Sequence, residues 1–321
     1  MRLFSVYGYT LATEHPLASF LDPSDEEPDV MFTCQAGGSS RTETGTLVYE
    51  SVLPGAGEEG LFSLFRMSDG FRLHYSGTAD FLIRADRIDC RLHDPEYAYW
   101  VEVALLGPVF SFWLELHGSI ALHASAVVQP PNAIGFIASS KSGKTSLASS
   151  FVREGAALLT DDILPLYLSE EGDVMARPGY PQMRMWADQA RVFAGDPAAF
   201  PLAHPDFDKR RIPVAALGNF HGTPARLSVL FLPERVSAPD SSEITLTRVH
   251  TQEALITLLQ NSFAAAVLER MPEMQVPRLR TLAGILQRIP VFRLSYPEGY
   301  DRLPAVREQI LRFLEGRDDS R

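Results

Sequence analysis

Residues 138–146 read ASSKSGKTS, and what flanks them constrains the fold more than any other stretch. Before them stands AIGFIA, a short apolar run; after them TSLASSFVREG puts Leu147, Ala148, Phe151 and Val152 on one helical face and closes on Gly155; then comes AALLTDD. The pattern predicts strand, loop, helix, strand. Gly143, Lys144 and Thr145 fill the last three fixed places of G-x-x-x-x-G-K-[ST], while Ala138 holds the first, where the pattern has glycine. In such a loop, backbone N–H groups at a helix N-terminus point at an anion, and glycines let the backbone approach it. The expected ligand is therefore a nucleotide phosphate. Ser139, Ser140, Lys141, Ser142, Gly143, Lys144, Thr145 and Ser146 are its candidate contacts, with Lys144 on the β and γ phosphates and Thr145 on Mg²⁺.

Asp161 and Asp162 end the following strand, which brings them beside the loop if the two strands are neighbours in a sheet. A carboxylate near the cation and a base within reach of an acceptor hydroxyl are what phosphoryl transfer requires. The segment DFDKRRIP is the dense basic cluster of this half, with Lys209, Arg210 and Arg211 after two aspartates. Such a run is commonly a solvated face, and the alternative is a basic segment able to stabilise charge on a transferring phosphoryl group. Arg184, in ARPGYPQMRMW, is a further candidate contact for phosphate or acceptor, and a strand leading from a proline-rich turn is the alternative role of that segment.

The rest of the chain supplies a second, different pattern. Short β-like runs recur between residues 3 and 92 (LFSVYGYTL, DVMFTC, GTLVYE, GLFSLFRM, GFRLHY, DFLIRA), separated by Gly, Pro, Asp and Ser clusters, as in a small antiparallel β domain. The apolar stretch 99–117 contains Glu102, Gly107, Pro108 and Glu115, which suits a buried, kinked helix rather than a membrane span. We place the boundary near Leu116, giving a β-rich domain over 1–115 and an α/β catalytic domain over 116–321. Later strands are expected at RLSVLFLP, EITLTRV and VFRLSY. Helices are expected over 252–260, 278–287 and 302–314, the last capped by Asp301, with a fraying tail from Gly316.

Charge and cysteine content narrow the partners. A formal net charge of −11 argues against nucleic acid, which needs clustered cations, so an anionic ligand requires a local basic pocket. Cys34 and Cys90 stand in no C-x-x-C pair and at no zinc spacing, and read as two buried or half-buried thiols. The opening MRLFSVYGYTLATEHP lacks the uninterrupted apolar core of a signal peptide, so a cytoplasmic location without a membrane partner is expected.

In order, LHASAV, SSKSGKTSLASSFVREGAALLTDD and KRRIPV resemble the C-terminal catalytic domain of bacterial HPr kinase/phosphorylase and its shorter relatives, over roughly residues 118–232. The opening YGYTLATEHPL is similar to kinase-like proteins of ribosomal peptide maturation, including those that phosphorylate lasso-peptide precursors. The resemblance implies an α/β P-loop kinase domain of the HPr kinase type behind a β-rich N-terminal domain. It implies ATP and Mg²⁺ as cofactors, Asp161 as general base, Asp162 as a Mg²⁺ ligand beside Thr145, and His123 as the neighbour that supports the base. It places Arg210 and Arg211 with the transferring phosphoryl group, and a peptide or small protein bearing a serine as substrate. A small-molecule kinase and a catalytically silent nucleotide-binding module remain the alternatives, and a homo-oligomer is left open. Lys141 departs from the family, which usually has a glycine there.

Overall fold

The structure, a computed structural model, describes residues 1–37, 45–52, 61–139, 141–236 and 243–318. The fold is mixed α/β and divides into two compact units. One comprises Met1–Ala121 and Phe263–Arg280, the other Leu122–Ser262 and Thr281–Arg321. The division falls at Ala121 rather than Leu116, and a later segment returns to the first unit.

Among the described residues, the first unit is built on nine strands: β1 (Arg2–Val6), β2 (Tyr9–Thr13), β3 (Asp22–Pro23), β4 (Val30–Ala36), β5 (Thr46–Val52), β6 (Leu61–Arg66), β7 (Phe71–Tyr75), β8 (Ala79–Ile83) and β9 (Arg87–Leu92). They form one sheet in the order β3-β1-β2-β4-β9-β8-β7-β6-β5. The run LFSVYGYTL is a hairpin, not one strand: Tyr7 and Gly8 have φ of 54° and 72°, the positive values a two-residue turn needs to match the strand twist. The sheet is not wholly antiparallel either, since β4 runs parallel to both β2 and β9. Long connections between these strands make this pairing available, and nothing in the alternating pattern encodes it. Cys34 and Cys90 are free thiols that face each other in the β4/β9 register.

A kinked helix fills the core of this unit, as α1 (Ala98–Ala104), a π-helical turn (Leu105–Val109) and α2 (Phe110–Leu116). Pro108 removes a donor and Gly107 takes non-helical angles (φ −111°, ψ −112°), which breaks the ladder there. Ser111 Oγ donates to the Gly107 carbonyl at 2.9 Å, alongside the Phe110 backbone N–H. By length and composition Pro95–Leu116 passes as a membrane span, yet 67% of its apolar window is buried in the protein. Phe110 and Trp113 are fully buried and meet Tyr7 and Tyr9 at ring separations of 5.5 and 4.9 Å. Burial of each such side chain contributes about 1.5–3 kcal/mol.

The second unit carries β10 (Ile120–Gln129), β11 (Asn132–Ile137), α3 (Lys144–Val152), β12 (Ala157–Thr160), β13 (Ile163–Leu168), β14 (Val174–Ala176), β15 (Gln182–Trp186), α4 (Ala187–Phe193), β16 (Leu202–His204), β17 (Phe207–Pro213), β18 (Asn219–Phe220), β19 (Ala225–Val236), β20 (Thr245–Arg248), α5 (Thr251–Gln260) and β21 (Val291–Pro297). The large sheet runs β18-β12-β10-β13-β14-β19-β21-β20, with β11 paired to both β10 and β19. Strands β10, β13, β14, β19 and β11 thus close a circuit of pairings. The four apolar residues expected on one face of α3 are all at most 1% exposed and pack with Phe136 and Phe231. Arg210 and Arg211 lie on β17, not on a loop; β17 joins β15 and β16 in a separate three-stranded sheet. The late helices run further than expected, over Pro272–Arg288 and Leu303–Asp318, and Asp301 sits inside a 3-10 turn (Tyr300–Arg302) instead of capping.

Candidate phosphate-binding site

The loop after β11 delivers its last residues to the start of α3. Gly143 is the residue before the helix and takes φ 95°, and a Cβ there would also lie 2.6 Å from the Tyr296 hydroxyl, so glycine is required twice over. Ala138 is not among the described residues with positive φ, which apart from glycines are Tyr7, Lys141 and Asp162. The missing first glycine therefore carries no backbone strain. Lys141 does: its φ is 66°.

Lys144 is buried, and its ammonium donates to the carbonyls of Ala138 (2.7 Å) and Ser139 (2.9 Å), folding the loop around its own cation. Burial lowers its pKa to about 8 against the opposing pull of the Asp161 and Asp162 charges. Thr145 Oγ1 donates to Asp161 Oδ1 at 2.9 Å. The same oxygen accepts Ser125 Oγ at 2.6 Å, and Oδ2 accepts the Arg184 backbone N–H at 3.1 Å.

Asp162 faces a different set of groups. Its φ of 80° is one that aspartate tolerates. His123 Nδ1 lies 3.0 Å from its carbonyl oxygen and 3.2 Å from Oδ1, both acceptors, so Nδ1 carries the proton. Arg184 Nη1 reaches Oδ2 at 3.2 Å. Burial pushes the Asp162 carboxyl up, but the His123 hydrogen bond and the Arg184 and Lys209 charges outweigh it and hold it well below the usual carboxylate range.

The strands bearing the loop and the aspartates are not neighbours. Strand β10 lies between them, pairing with β11 on one side and β12 on the other, and it brings His123 and Ser125 in with them. One cavity collects the result: His123, Ser125, Lys141, Ser142, Gly143, Lys144, Thr145, Asp161, Asp162, Arg184, Trp186, Gln189 and Lys209. It encloses about 50 Å³. Pockets for whole drug-sized ligands run to about 300–1,000 Å³, so the enclosed part suits a phosphate end rather than an entire nucleotide. Four cations against two carboxylates line it, which makes it locally basic in a chain of net charge −11.

Several expected residues stand outside this wall. Ser139 pairs with Ser142 through their hydroxyls at 3.0 Å, and Ser146 Oγ accepts Gln189 Nε2 at 2.8 Å; neither lines the cavity. Ser140 lies outside the described residues. Arg210 is tied to Asp208 at 2.6 Å, and Arg211 is buried opposite Arg184 in the β15/β17 register. Neither arginine reaches the cavity wall; Lys209 does, opposite Trp186. Alternation along β17 turns Arg210 to the face opposite Lys209, whereas Arg211 shares the Lys209 face and lies opposite Arg184. Sequence reading passed over Ser125, although it shares a strand face with His123 two residues earlier.

No family model matches the chain, and no curated protein matches it. Among solved structures, the Hpr(Ser) kinase/phosphatase from Coxiella burnetii is similar at 14% identity and a TM-score of 0.33. That match covers 62% of this chain and 95% of the other. At those values the site stands on its own geometry.

Proposed function

We propose that the chain is an ATP- and Mg²⁺-dependent phosphotransferase that phosphorylates a serine hydroxyl on a peptide or small protein. The observation that carries this is the loop Lys144 and Thr145, the latter hydrogen-bonded to Asp161 at 2.9 Å, in one basic cavity with Asp162, His123, Arg184 and Lys209. The residues fit both cofactors. Left-handed Gly143 at the start of α3 allows close backbone approach to phosphate, and Thr145 with the aspartate pair offers the oxygen ligands Mg²⁺ prefers. Bound there, Mg²⁺ would neutralise charge on the phosphate oxygens.

Asp161, which accepts hydrogen bonds from the Ser125 and Thr145 hydroxyls, takes the proton of the acceptor serine. Asp162 is too weak a base for that duty and stays ionised beside the cation. His123 holds Asp162 in place, while Lys144, Arg184 and Lys209 stabilise the phosphoryl charge. A lasso-peptide precursor is the acceptor to test first, in a cytoplasmic setting without nucleic acid or membrane.

The test is transfer of labelled γ-phosphate from ATP to serine-containing peptides by the full chain, with Lys144→Ala as control. Peptide labelling that falls at least about 10²-fold in the variant, the effect of losing one transition-state donor, supports the reading. Labelling of a metabolite instead of peptide points to a small-molecule kinase. ATP binding without any substrate-dependent consumption points to a silent module.

A further inference from the structure

A second cluster of metal-ligating side chains lies in the first unit, on the opposite side of its sheet from the buried helix-facing residues. His74 on β7 and Asp80 on β8 are directly paired in register, and His93 follows the end of β9, held by its backbone N–H on the Thr78 carbonyl at 2.8 Å. His74 Nδ1 is 2.7 Å from Asp80 Oδ1, and His93 Nε2 is 2.8 Å from Asp80 Oδ2. One ligand atom from each of the three residues lies within 4.8 Å of the other two. We propose that His74, Asp80 and His93 form a site for a zinc-type divalent transition-metal ion, with a fourth position open to solvent.

The ligand chemistry selects the ion. Two imidazole nitrogens and one carboxylate suit Zn²⁺ and its transition-metal neighbours, whereas Mg²⁺ prefers an all-oxygen shell. Zinc bonds of about 2.0–2.2 Å in a tetrahedral arrangement place neighbouring ligand atoms roughly 3.4 Å apart. The separations of 2.7 and 2.8 Å and the 4.8 Å limit bracket that spacing, so side-chain rotation within the existing register closes the site.

Burial makes the arrangement specific. The Asp80 and His93 side chains are 10% and 8% exposed, a costly place for a carboxylate unless it is paired. Without an ion each imidazole turns an N–H toward Asp80; with one, each ring carries its proton on the other nitrogen and gives its lone pair to the metal, with no net proton change on neutral rings.

The full chain, stripped with chelator, is titrated with Zn²⁺ by calorimetry and with Co²⁺ by visible absorption. We expect one ion per chain, a cobalt band of tetrahedral intensity, and a rise in Tm with zinc. His74→Ala and His93→Gln should each weaken binding by at least about 100-fold, the upper end of what loss of even an outer-shell partner costs. Asp162→Asn, in the second unit, should leave zinc binding unchanged. If these variants do not fold, the wild-type cobalt spectrum decides. A wild-type chain that binds no zinc and gives no tetrahedral cobalt band overturns the site, leaving a hydrogen-bonded His-Asp-His triad. So does His93→Gln binding as tightly as wild type.

Discussion

Thr145 Oγ1 donates to Asp161 Oδ1 at 2.9 Å, which couples the first turn of α3 to the end of β12 through one hydrogen. A hydroxyl that gives its proton to a carboxylate keeps its lone pairs, so Thr145 can ligate a cation without releasing Asp161. The adjacent Asp162 is turned to His123 and Arg184 instead. Two neighbouring carboxylates thereby acquire separate environments, which is what separate chemical roles require.

Substituting the two aspartates should therefore give different kinetic signatures. Asp161→Asn should leave the Kd for ATP within a fewfold of wild type and lower the transfer step by about 10²-fold or more. Asp162→Asn removes the anion held by His123 and Arg184 and should raise the Mg²⁺ concentration needed for half-maximal rate while weakening nucleotide binding. Equal losses of ATP affinity in both variants would contradict this division.

Nucleotide affinity should depend on pH through Lys144. Its pKa of about 8 lies below the value of a free lysine, so the cation is lost as pH rises through 8, and phosphate binding must then take up a proton. Affinity should be flat to about pH 7 and fall by up to about tenfold per unit above pH 8. The stability sign is opposite: the unfolded chain binds more protons between pH 8 and about 10.4, so this group makes folding more favourable as pH rises across that window. Lys144→Arg, charged throughout, should flatten the affinity profile measured by calorimetry at pH 7, 8 and 9. An unchanged slope in that variant would assign the dependence to another group.

The loop was legible because its chemistry is local. Gly143 needs positive φ, Lys144 and Thr145 follow it directly, and the period of α3 declares its buried face. What remained hidden is set by strand pairing. The insertion of β10 between β11 and β12, the parallel partners of β4, and the return of Phe263–Arg280 to the first unit depend on long-range register, which alternating apolar residues leave undetermined. The exclusion of Arg210 in favour of Lys209 has the same origin. A basic run on a strand presents alternate members to one side, and only the pairing of Lys209 with Trp186 tells which side holds the cavity.

Lys141 offers a test of strain against function. A side chain in the left-handed region costs roughly 1–2 kcal/mol, and glycine returns part of that as unfolded-state entropy. Lys141→Gly should stabilise the chain by up to about 1 kcal/mol in denaturant melts. It also removes an ammonium that sits 5.2 Å from the Trp186 ring centre on the cavity wall, and should weaken ATP binding several-fold with a change in Trp186 fluorescence. If the glycine variant binds ATP as well as wild type or better, Lys141 crowds the loop rather than serving it.

The last prediction concerns the pair that ties the returning segment into the first unit. Glu115 Oε2 accepts Arg278 Nε at 3.0 Å, with side-chain exposures of 2% and 6%, and its other oxygen accepts the Ala121 backbone N–H at 3.1 Å. Removing one member of a buried pair costs about 3–5 kcal/mol, because the other charge stays buried without its partner. At about 2–4 °C per kcal/mol for chains of 150–250 residues, Glu115→Ala should lower the first-unit melting temperature by roughly 6 °C or more. Replacing both residues together, Glu115→Met with Arg278→Leu, should recover most of it. Every residue of the phosphate cavity belongs to the second unit, so the ATP affinity of folded Glu115→Ala should stay within about twofold of wild type. A fragment cut at Leu116 lacks Glu115 but keeps Phe263–Arg280, and should aggregate where the full-length variant does not. An unchanged melting temperature in Glu115→Ala, or a fragment as soluble as the whole chain, would show that the pair is dispensable.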